Sequence, residues 1–155
     1  NNISNRIGDT NYSDVQWWLE WYTATGATAV TVTVNVTYND GTTGALAAAS
    51  LAATRPASFM LSLNALIPAA ASGKYIRAVN TITLSATTGT AGSFGVTATR
   101  PRMTLAAPIA NMKFVADWAQ LGFPEIFNES CLFPIVLTST TSTGTVRGGG
   151  KISHG

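Results

Sequence analysis

The sequence predicts an all-β fold, a single-domain antiparallel β-sandwich of jelly-roll or Ig-like type with about eight strands. Residues 15–38 alternate between apolar and polar side chains with a period of two, as a half-buried strand does. Valine and threonine dominate residues 30–38, and such β-branched residues favour strands over helices. Turn signals separate the apolar runs that follow, and the strongest is Asn39-Asp40-Gly41. Together these observations indicate the all-β class.

The length of 155 residues fits one domain that can bury a core without covalent cross-links. Cys131 is the only cysteine, so an internal disulfide is excluded. The polar, Asn-rich residues 1–13 predict an N-terminal arm, and the β-sandwich domain is expected to cover residues 14–155. No signal peptide is expected, because the first residues have neither a basic region nor an apolar run.

Two strands within residues 15–38 are expected to carry the core, either as a β-hairpin or as two neighbouring strands. Each presents one apolar face, because alternate residues of a strand point to the same side. The Asp40-Gly41 pair is predicted to supply the positive φ angles of a tight hairpin turn after the second strand. The apolar faces are formed by Val15, Trp17, Leu19 and Trp21, and by Val30, Val32, Val34, Val36 and Tyr38.

The rest of the chain reads as further short strands. One helical turn is predicted near residues 114–121, because Gly122 ends it and Pro124 prevents its continuation. Asn80 falls among the inward positions of its strand and is an irregularity in the pattern. The predicted strands cover residues 42–53, 59–67, 74–86, 94–99, 131–138 and 145–153.

The composition favours a component of an assembly. Charged residues make up 10% of the chain, against about 25% in an ordinary soluble domain. The net charge of +2 comes from nine basic and seven acidic residues, too few to predict nucleic-acid binding. The apolar runs are interrupted by polar residues, so a membrane-spanning helix is not expected either. A surface that is polar through hydroxyl groups is consistent with coverage by neighbouring subunits.

Catalytic and metal-binding patterns are nearly absent, so we predict a protein that is not an enzyme and has no cofactor. His154 is next to the last residue, and Cys131 is expected to be a buried, inert thiol in an apolar strand. Residues 148–151 resemble a phosphate loop but lack its first glycine and its hydroxyl residue. Glu125 and Glu129 are closely spaced, but without a nearby histidine they do not predict a metal site.

Five residues are candidates for an interface. Trp18 and Tyr22 lie on the face of the first strand opposite the core set. They form either a binding platform, for a protein partner or a sugar, or the second buried face of a covered central strand. Arg55, Arg100 and Arg102 flank prolines, where they either hold an acidic partner or are solvated turn residues.

Four segments together resemble the small structural proteins of tailed bacteriophages: QWWLEWYTATGATAVTVTVNVTYNDGTTG, ATRPAS, GKYIRAVNTITLSATTGTAGSFGVTATR and LTSTTSTGTVRGGGKI. The resemblance covers most of the chain and implies a decoration or cement protein of the virion, assembled in the host cytoplasm. Its expected partners are the major capsid protein and further copies of itself, for example as a trimer. A tail or fibre component is the alternative within this class, and a carbohydrate-binding module is the alternative outside it.

Overall fold

The computed structural model describes residues 11–89, 92–106, 113–122 and 131–137. Within these ranges seven strands form two antiparallel sheets, which confirms the prediction of a mostly β protein. The chain divides into two compact units, Asn1–Phe123 and Pro124–Gly155. All seven strands belong to the first unit: β1 Gln16–Trp21, β2 Val30–Tyr38, β3 Thr43–Ala45, β4 Ala49–Leu51, β5 Met60–Ser62, β6 Ile76–Leu84 and β7 Phe94–Thr99.

The first sheet, here called sheet A, has the order β5-β1-β7 with β1 in the centre. The ladder between β1 and β7 is continuous, from Gln16 opposite Thr99 to Trp21 opposite Phe94. On its other side β1 pairs with the three residues of β5. The strand that carries three tryptophans therefore lies between partners that are distant in sequence.

The second sheet, sheet B, is built around β2. The short strands β3 and β4 pair with different halves of β2, and β6 pairs with nearly its whole length. Because Val36 is opposite both Gly44 and Val79, β3 and β6 must occupy the two opposite edges of β2. Strand β2 is thus covered on both edges.

The inward faces of both sheets contribute to one hydrophobic core. The alternation predicted for β1 and β2 is confirmed, because every apolar position named for them is buried. A hydrogen bond links the sheets inside this core: Trp17 Nε1 donates to the carbonyl oxygen of Ile76 at 2.9 Å. The largest fully buried side chains are Trp21, Tyr12, Leu19, Leu63, Ile76, Val15, Val32, Val34 and Val36.

Tyr12 belongs to this core, with only 2% of its surface exposed. The sequence assigned it to the polar arm over residues 1–13. A turn joins this residue to the start of β1, since the Val15 N–H donates to the Tyr12 carbonyl oxygen at 3.2 Å. A truncation meant to remove only the arm must therefore end before this residue.

The interpretation of residues 15–38 as a β-hairpin is wrong, because β1 and β2 lie in different sheets. Both strands bury a full apolar face in the shared core, and placing them in separate sheets lets both faces meet there. The segment between them is bonded elsewhere: Thr25 N–H donates to the Arg55 carbonyl oxygen at 2.9 Å, and Thr54 N–H to that of Gly26 at the same distance.

The turn at Asp40-Gly41 is present, with one difference from the prediction. Only Gly41 has a positive φ angle, +84°, whereas Asp40 does not. Gly41 N–H donates to the Tyr38 carbonyl oxygen at 3.0 Å, and Tyr38 N–H donates to that of Thr42 at 2.8 Å. This is the three-residue hairpin loop in which a type I turn is followed by a left-handed glycine.

The predicted strand over residues 59–67 ends early. After β5 the chain forms a 3-10 turn, Asn64–Leu66. Asn64 replaces ladder bonds with its side chain: its Oδ1 accepts from Trp17 N–H at 2.7 Å, and its Nδ2 donates to the Val15 carbonyl oxygen at 3.0 Å. The segment predicted over 42–53 is likewise divided, into β3 and β4.

Strand β6 lies within the predicted range 74–86 and contains two irregularities, where Arg77 and Asn80 are left without an opposite residue in β2. These β-bulges change which side chains face the core, so Val79 packs inward while Asn80 points to solvent. Asn80 instead bonds to the hydroxyl group of Thr37, with Nδ2 donating at 3.0 Å. The bulge explains the irregularity seen in the sequence.

The predictions for residues after 113 agree with the structure only in part. A single α-helical turn, α1 (Trp118–Leu121), lies inside the predicted range 114–121. Residues 131–137 form no strand, and Cys131 is exposed, so the prediction of a buried thiol in an apolar strand is wrong. Apolar composition alone does not make a strand, because the backbone groups of a strand need a pairing partner. The strand predicted over 145–153 lies outside the described residues.

Candidate functional site

The candidate site is the outer face of sheet A, which points away from the core. Gln16, Trp18 and Glu20 of β1 alternate with the buried positions and are half-buried. Thr97 and Thr99 of β7 lie beside them in the ladder, because Trp18 is opposite Thr97 and Gln16 is opposite Thr99. Sheet A is therefore buried on one face and partly open on the other.

Trp18 is fixed on this face by a hydrogen bond. Its Nε1 donates to the Thr99 hydroxyl oxygen at 2.9 Å. The Thr99 hydroxyl group in turn donates to the Gln16 carbonyl oxygen at 3.4 Å. With its only side-chain polar atom bonded within the protein, the half-buried indole ring presents apolar surface on this face.

Tyr22 directly follows β1 and is the most exposed aromatic residue near the site, at 54%. Its N–H donates to the Ser93 carbonyl oxygen at 2.9 Å, which continues the ladder by one pair. The ring lies across β7 above Gly95, where a Cβ atom would come within 2.8 Å of the ring carbon Cζ. Only glycine permits this close approach.

Glu20 lies between the two aromatic residues and carries the site's acidic group. Its Oε2 accepts a hydrogen bond of 2.7 Å from the Thr97 hydroxyl group. Residues 18, 20 and 22 share one side of the chain, so the face presents an indole, a carboxylate and a phenol in a row. We call Trp18, Glu20 and Tyr22 the outer-face row.

The three arginines do not join this row. Arg55 follows β4, and its guanidinium carbon lies 4.7 Å from the centre of the Phe59 ring, while its buried Nε has no partner among the described residues. Arg100 forms an ion pair with Asp14, including an Nε–Oδ2 distance of 2.6 Å. Arg102 is half-buried beyond the end of β7.

Arg55 and Arg100 lie at opposite ends of sheet A. Arg55 stacks on Phe59, whose carbonyl oxygen accepts from Trp21 at the end of β1, whereas Asp14 precedes its start. A six-residue strand spans about 20 Å. The structure therefore brings together Trp18 and Tyr22 of the sequence candidates, and separates Arg55 from Arg100.

The sequence candidates did not include Glu20, Gly95, Thr97 and Thr99, which shape the site, or Asp14, which pairs with Arg100. Their signal was present in part, because threonines at alternate positions of a predicted strand share a face. Gly95 could not be recognised, since its role depends on a ring contributed from a distant strand. Asp14 was not recognised because nothing in the sequence predicts that the start of β1 meets the end of β7.

The outer-face row brings together aromatic surface, one carboxylate and neighbouring threonine hydroxyl groups. Among the described residues, no group of three or more histidine, cysteine, aspartate or glutamate side chains is placed to hold a metal ion. No helix in those ranges has the length and apolar character needed to cross a membrane. Comparisons with protein families, with curated proteins and with solved structures find no match.

Proposed function

We propose that this chain is a non-enzymatic structural protein of a phage virion, a decoration or cement protein that binds and stabilises the head surface. The observation that carries the proposal is the outer-face row, an aromatic surface on a regular sheet in a protein with few charges. We further propose that the two sheets pack face to face as a β-sandwich of jelly-roll or Ig-like type. This arrangement would direct the outer face of sheet A toward the partner.

The physical argument rests on how aromatic residues contribute to interfaces. Tryptophan and tyrosine are enriched at the energetically dominant positions of protein interfaces, because they bury a large area at a low entropic cost. Tyr22 offers an exposed ring, and Trp18 is held in place by Thr99. A repeating shell presents the same partner surface many times, so modest single contacts suffice when the protein is itself oligomeric.

A carbohydrate-binding module is the second candidate, and the same row favours it. Trp18 and Tyr22, with Glu20 between them on the same face, can each stack on a sugar ring, and the Glu20 carboxylate can accept hydrogen bonds from sugar hydroxyl groups. This alternative needs one ligand-sized platform, whereas head docking needs a larger contact area that includes the rim of the sheet.

The test is to mix the purified protein with phage heads that lack it and to measure occupancy by sedimentation and image reconstruction. Tyr22→Ala should lower the apparent affinity at least about tenfold, as expected for a central aromatic contact. Tyr75→Ala is the matched control, because Tyr75 is also an exposed tyrosine, at 37%, but lies outside sheet A.

Two results would reject the head-surface proposal. One is no occupancy of heads at micromolar concentration. The other is equal loss of binding in Tyr22→Ala and Tyr75→Ala. Occupancy of tails alone would support the tail or fibre alternative. Glycan binding that depends on Trp18 and Tyr22, without head binding, would support the carbohydrate module.

A further inference from the structure

The edges of the two sheets differ in how well they are protected against pairing with another chain. Strand β5 has only three residues, and β6 has two bulges and a charged residue at Arg77. Short length, bulges and charge are the features that protect an exposed edge. Strand β7 has none of them: Phe94–Thr99 contains six residues, no charge and no register shift against β1.

The hydrogen bonds of β1 identify which groups β7 leaves unpaired. Trp21 N–H donates toward β5, to the Phe59 carbonyl oxygen, whereas Tyr22 N–H donates toward β7, to that of Ser93. Since backbone groups alternate along a strand, the even-numbered residues of β1 bond to the odd-numbered residues of β7. The N–H and C=O groups of Phe94, Val96 and Ala98 therefore point away from β1, and β7 has no other strand partner among the described residues.

A second feature is complementary to this edge. Residues 131–137, Cys-Leu-Phe-Pro-Ile-Val-Leu, form no regular secondary structure, yet their composition is that of a strand. Most of their side chains are exposed, and Leu137 reaches 82%. Burying these exposed apolar side chains against a partner would lower the free energy, because it removes apolar surface from water.

Pro134 determines which side of this segment could pair. Proline has no N–H, so it is accepted in an edge strand only where that position faces away from the ladder. With Pro134 facing away, residues 131, 133, 135 and 137 present their backbone groups to a partner strand. On that side of the segment every N–H and C=O group is available, so it can form a ladder along the six residues of β7.

We propose that residues 131–137 of one copy add as an edge strand to β7 of a second copy, extending sheet A to four strands. Both features are unpaired among the described residues of one chain, and each supplies what the other lacks: an unprotected backbone edge and an exposed apolar strand sequence. Such an exchange is head-to-tail and closes into a ring if the rotation between copies allows it. The proposal concerns self-association and does not depend on a virion role.

The first experiment removes an outward donor from β7 in the full-length protein. Ala98→Pro deletes an N–H that faces the free edge, at an exposed position, and leaves the ladder with β1 intact. Ala98→Ser keeps the N–H and is the matched control. Analytical ultracentrifugation should show oligomers for the unchanged protein and for Ala98→Ser, and monomers for Ala98→Pro.

A second experiment does not depend on how Ala98→Pro folds. Cys131 is the only cysteine and is exposed, so it can be labelled with a benzophenone photocrosslinker. Irradiation should give cross-links to peptides of β7 in a different copy, recognised by mixing isotopically light and heavy protein.

Three results would overturn the proposal. They are failure to oligomerise at micromolar concentration, unchanged assembly of a folded Ala98→Pro variant, and cross-links confined to one copy. Loss of head binding without loss of self-association would count against the proposed function alone.

Discussion

At the scale of single residues, three positions determine the local geometry: two glycines, through the absence of a Cβ atom, and one aspartate, through its side-chain bonds. Gly95 has no Cβ, and this allows the Tyr22 ring to lie across β7. Gly41 has a φ of +84°, a backbone conformation that residues with a Cβ atom rarely adopt because of steric clashes. Asp40 holds the same turn through the Lys74 ammonium group at 2.8 Å and the Thr42 hydroxyl group at 2.6 Å. Each position gives a separate prediction.

Gly95→Ala should displace Tyr22 while changing the free energy of unfolding by less than about 1 kcal/mol. The new methyl group collides with the outer end of an exposed side chain, which can turn away into solvent. Partner binding should fall to the level of Tyr22→Ala. Urea unfolding and head-binding assays measure the two effects. Equal binding by Gly95→Ala and the unchanged protein would show that the position of the ring does not matter.

Gly41→Val should lower the free energy of unfolding by more than about 1 kcal/mol, because a β-branched residue resists the positive φ of this turn. No atom lies within 4 Å of a Cβ built there, so the cost comes from the backbone and not from a collision. Gly41→Asn is the control, since asparagine tolerates this conformation better. Urea denaturation of both variants should rank valine as clearly the less stable.

Stability should depend on pH through Asp40. The hydrogen bond from the Lys74 ammonium group, aided by those from Thr42, holds the pKa of the Asp40 carboxyl well below its usual range. The unfolded chain then takes up a proton more readily, so this stabilisation is present at neutral pH and is lost as the pH falls below about 4. Asp40→Asn should be less stable than the unchanged protein at pH 7, with a difference that narrows in acid.

Because this ion pair is exposed to solvent, raising the salt concentration at pH 7 should also reduce the difference. Thermal unfolding across pH and salt measures both effects. A difference that does not change with pH would contradict the proposed contribution of the Asp40 charge.

At the scale of elements, β1 has a different surrounding on each of its two faces. Its odd-numbered residues lie in the core, and its even-numbered residues lie on the half-buried outer face that forms the candidate site. On the buried face, the hydrogen bond from Trp17 to Ile76 links the two sheets in addition to the apolar packing. Mutations on the two faces of this one strand should therefore have separable effects.

Trp17→Phe should cost about 1–3 kcal/mol from the hydrogen bond alone, because the Ile76 carbonyl oxygen is left buried without its donor. Trp18→Phe also loses an indole N–H but leaves a threonine hydroxyl group near solvent, so its cost should be smaller. Urea unfolding followed by far-ultraviolet circular dichroism compares them. Equal losses would contradict the assignment of the two faces.

The sequence predicted strands well where alternation was uninterrupted, and poorly where side chains altered the backbone. The faces of β1 and β2 follow from period two alone. The end of β5 depends on Asn64 bonding to a distant strand, and the bulge at Asn80 depends on Thr37 across the ladder. Such contacts join residues far apart in the chain, and no local pattern contains them.

At the scale of the whole molecule, the division into two sheets could not be predicted, because it depends on pairing between distant segments. Two aromatic residues of the site followed from alternation on β1, whereas Gly95, Thr97 and Thr99 required the β1–β7 ladder. The exposure of Cys131 also depended on long-range structure: an apolar sequence indicates what a segment can bury, and its neighbours decide whether it does.

Refolding of the protein should be slow for its size. Sheet A joins its central strand to partners far along the chain, and topologies with such non-local pairing fold in milliseconds to seconds. Stopped-flow tryptophan fluorescence after dilution from urea measures the rate. Relaxation within microseconds would contradict the long-range pairing of β1.

The placement of β1 also has a consequence for biosynthesis. The ribosome makes this tryptophan-rich strand before β7, and the Trp18 indole bonds to Thr99, 81 positions later in the chain. At about 5–20 residues per second, the wait for that partner is about 4–16 s. During this interval β1 can pair with β5 on one edge, but its other edge has no partner until β7 is made. Translation speed between β1 and β7, and shielding by chaperones at the ribosome, should therefore govern how much soluble protein a cell obtains.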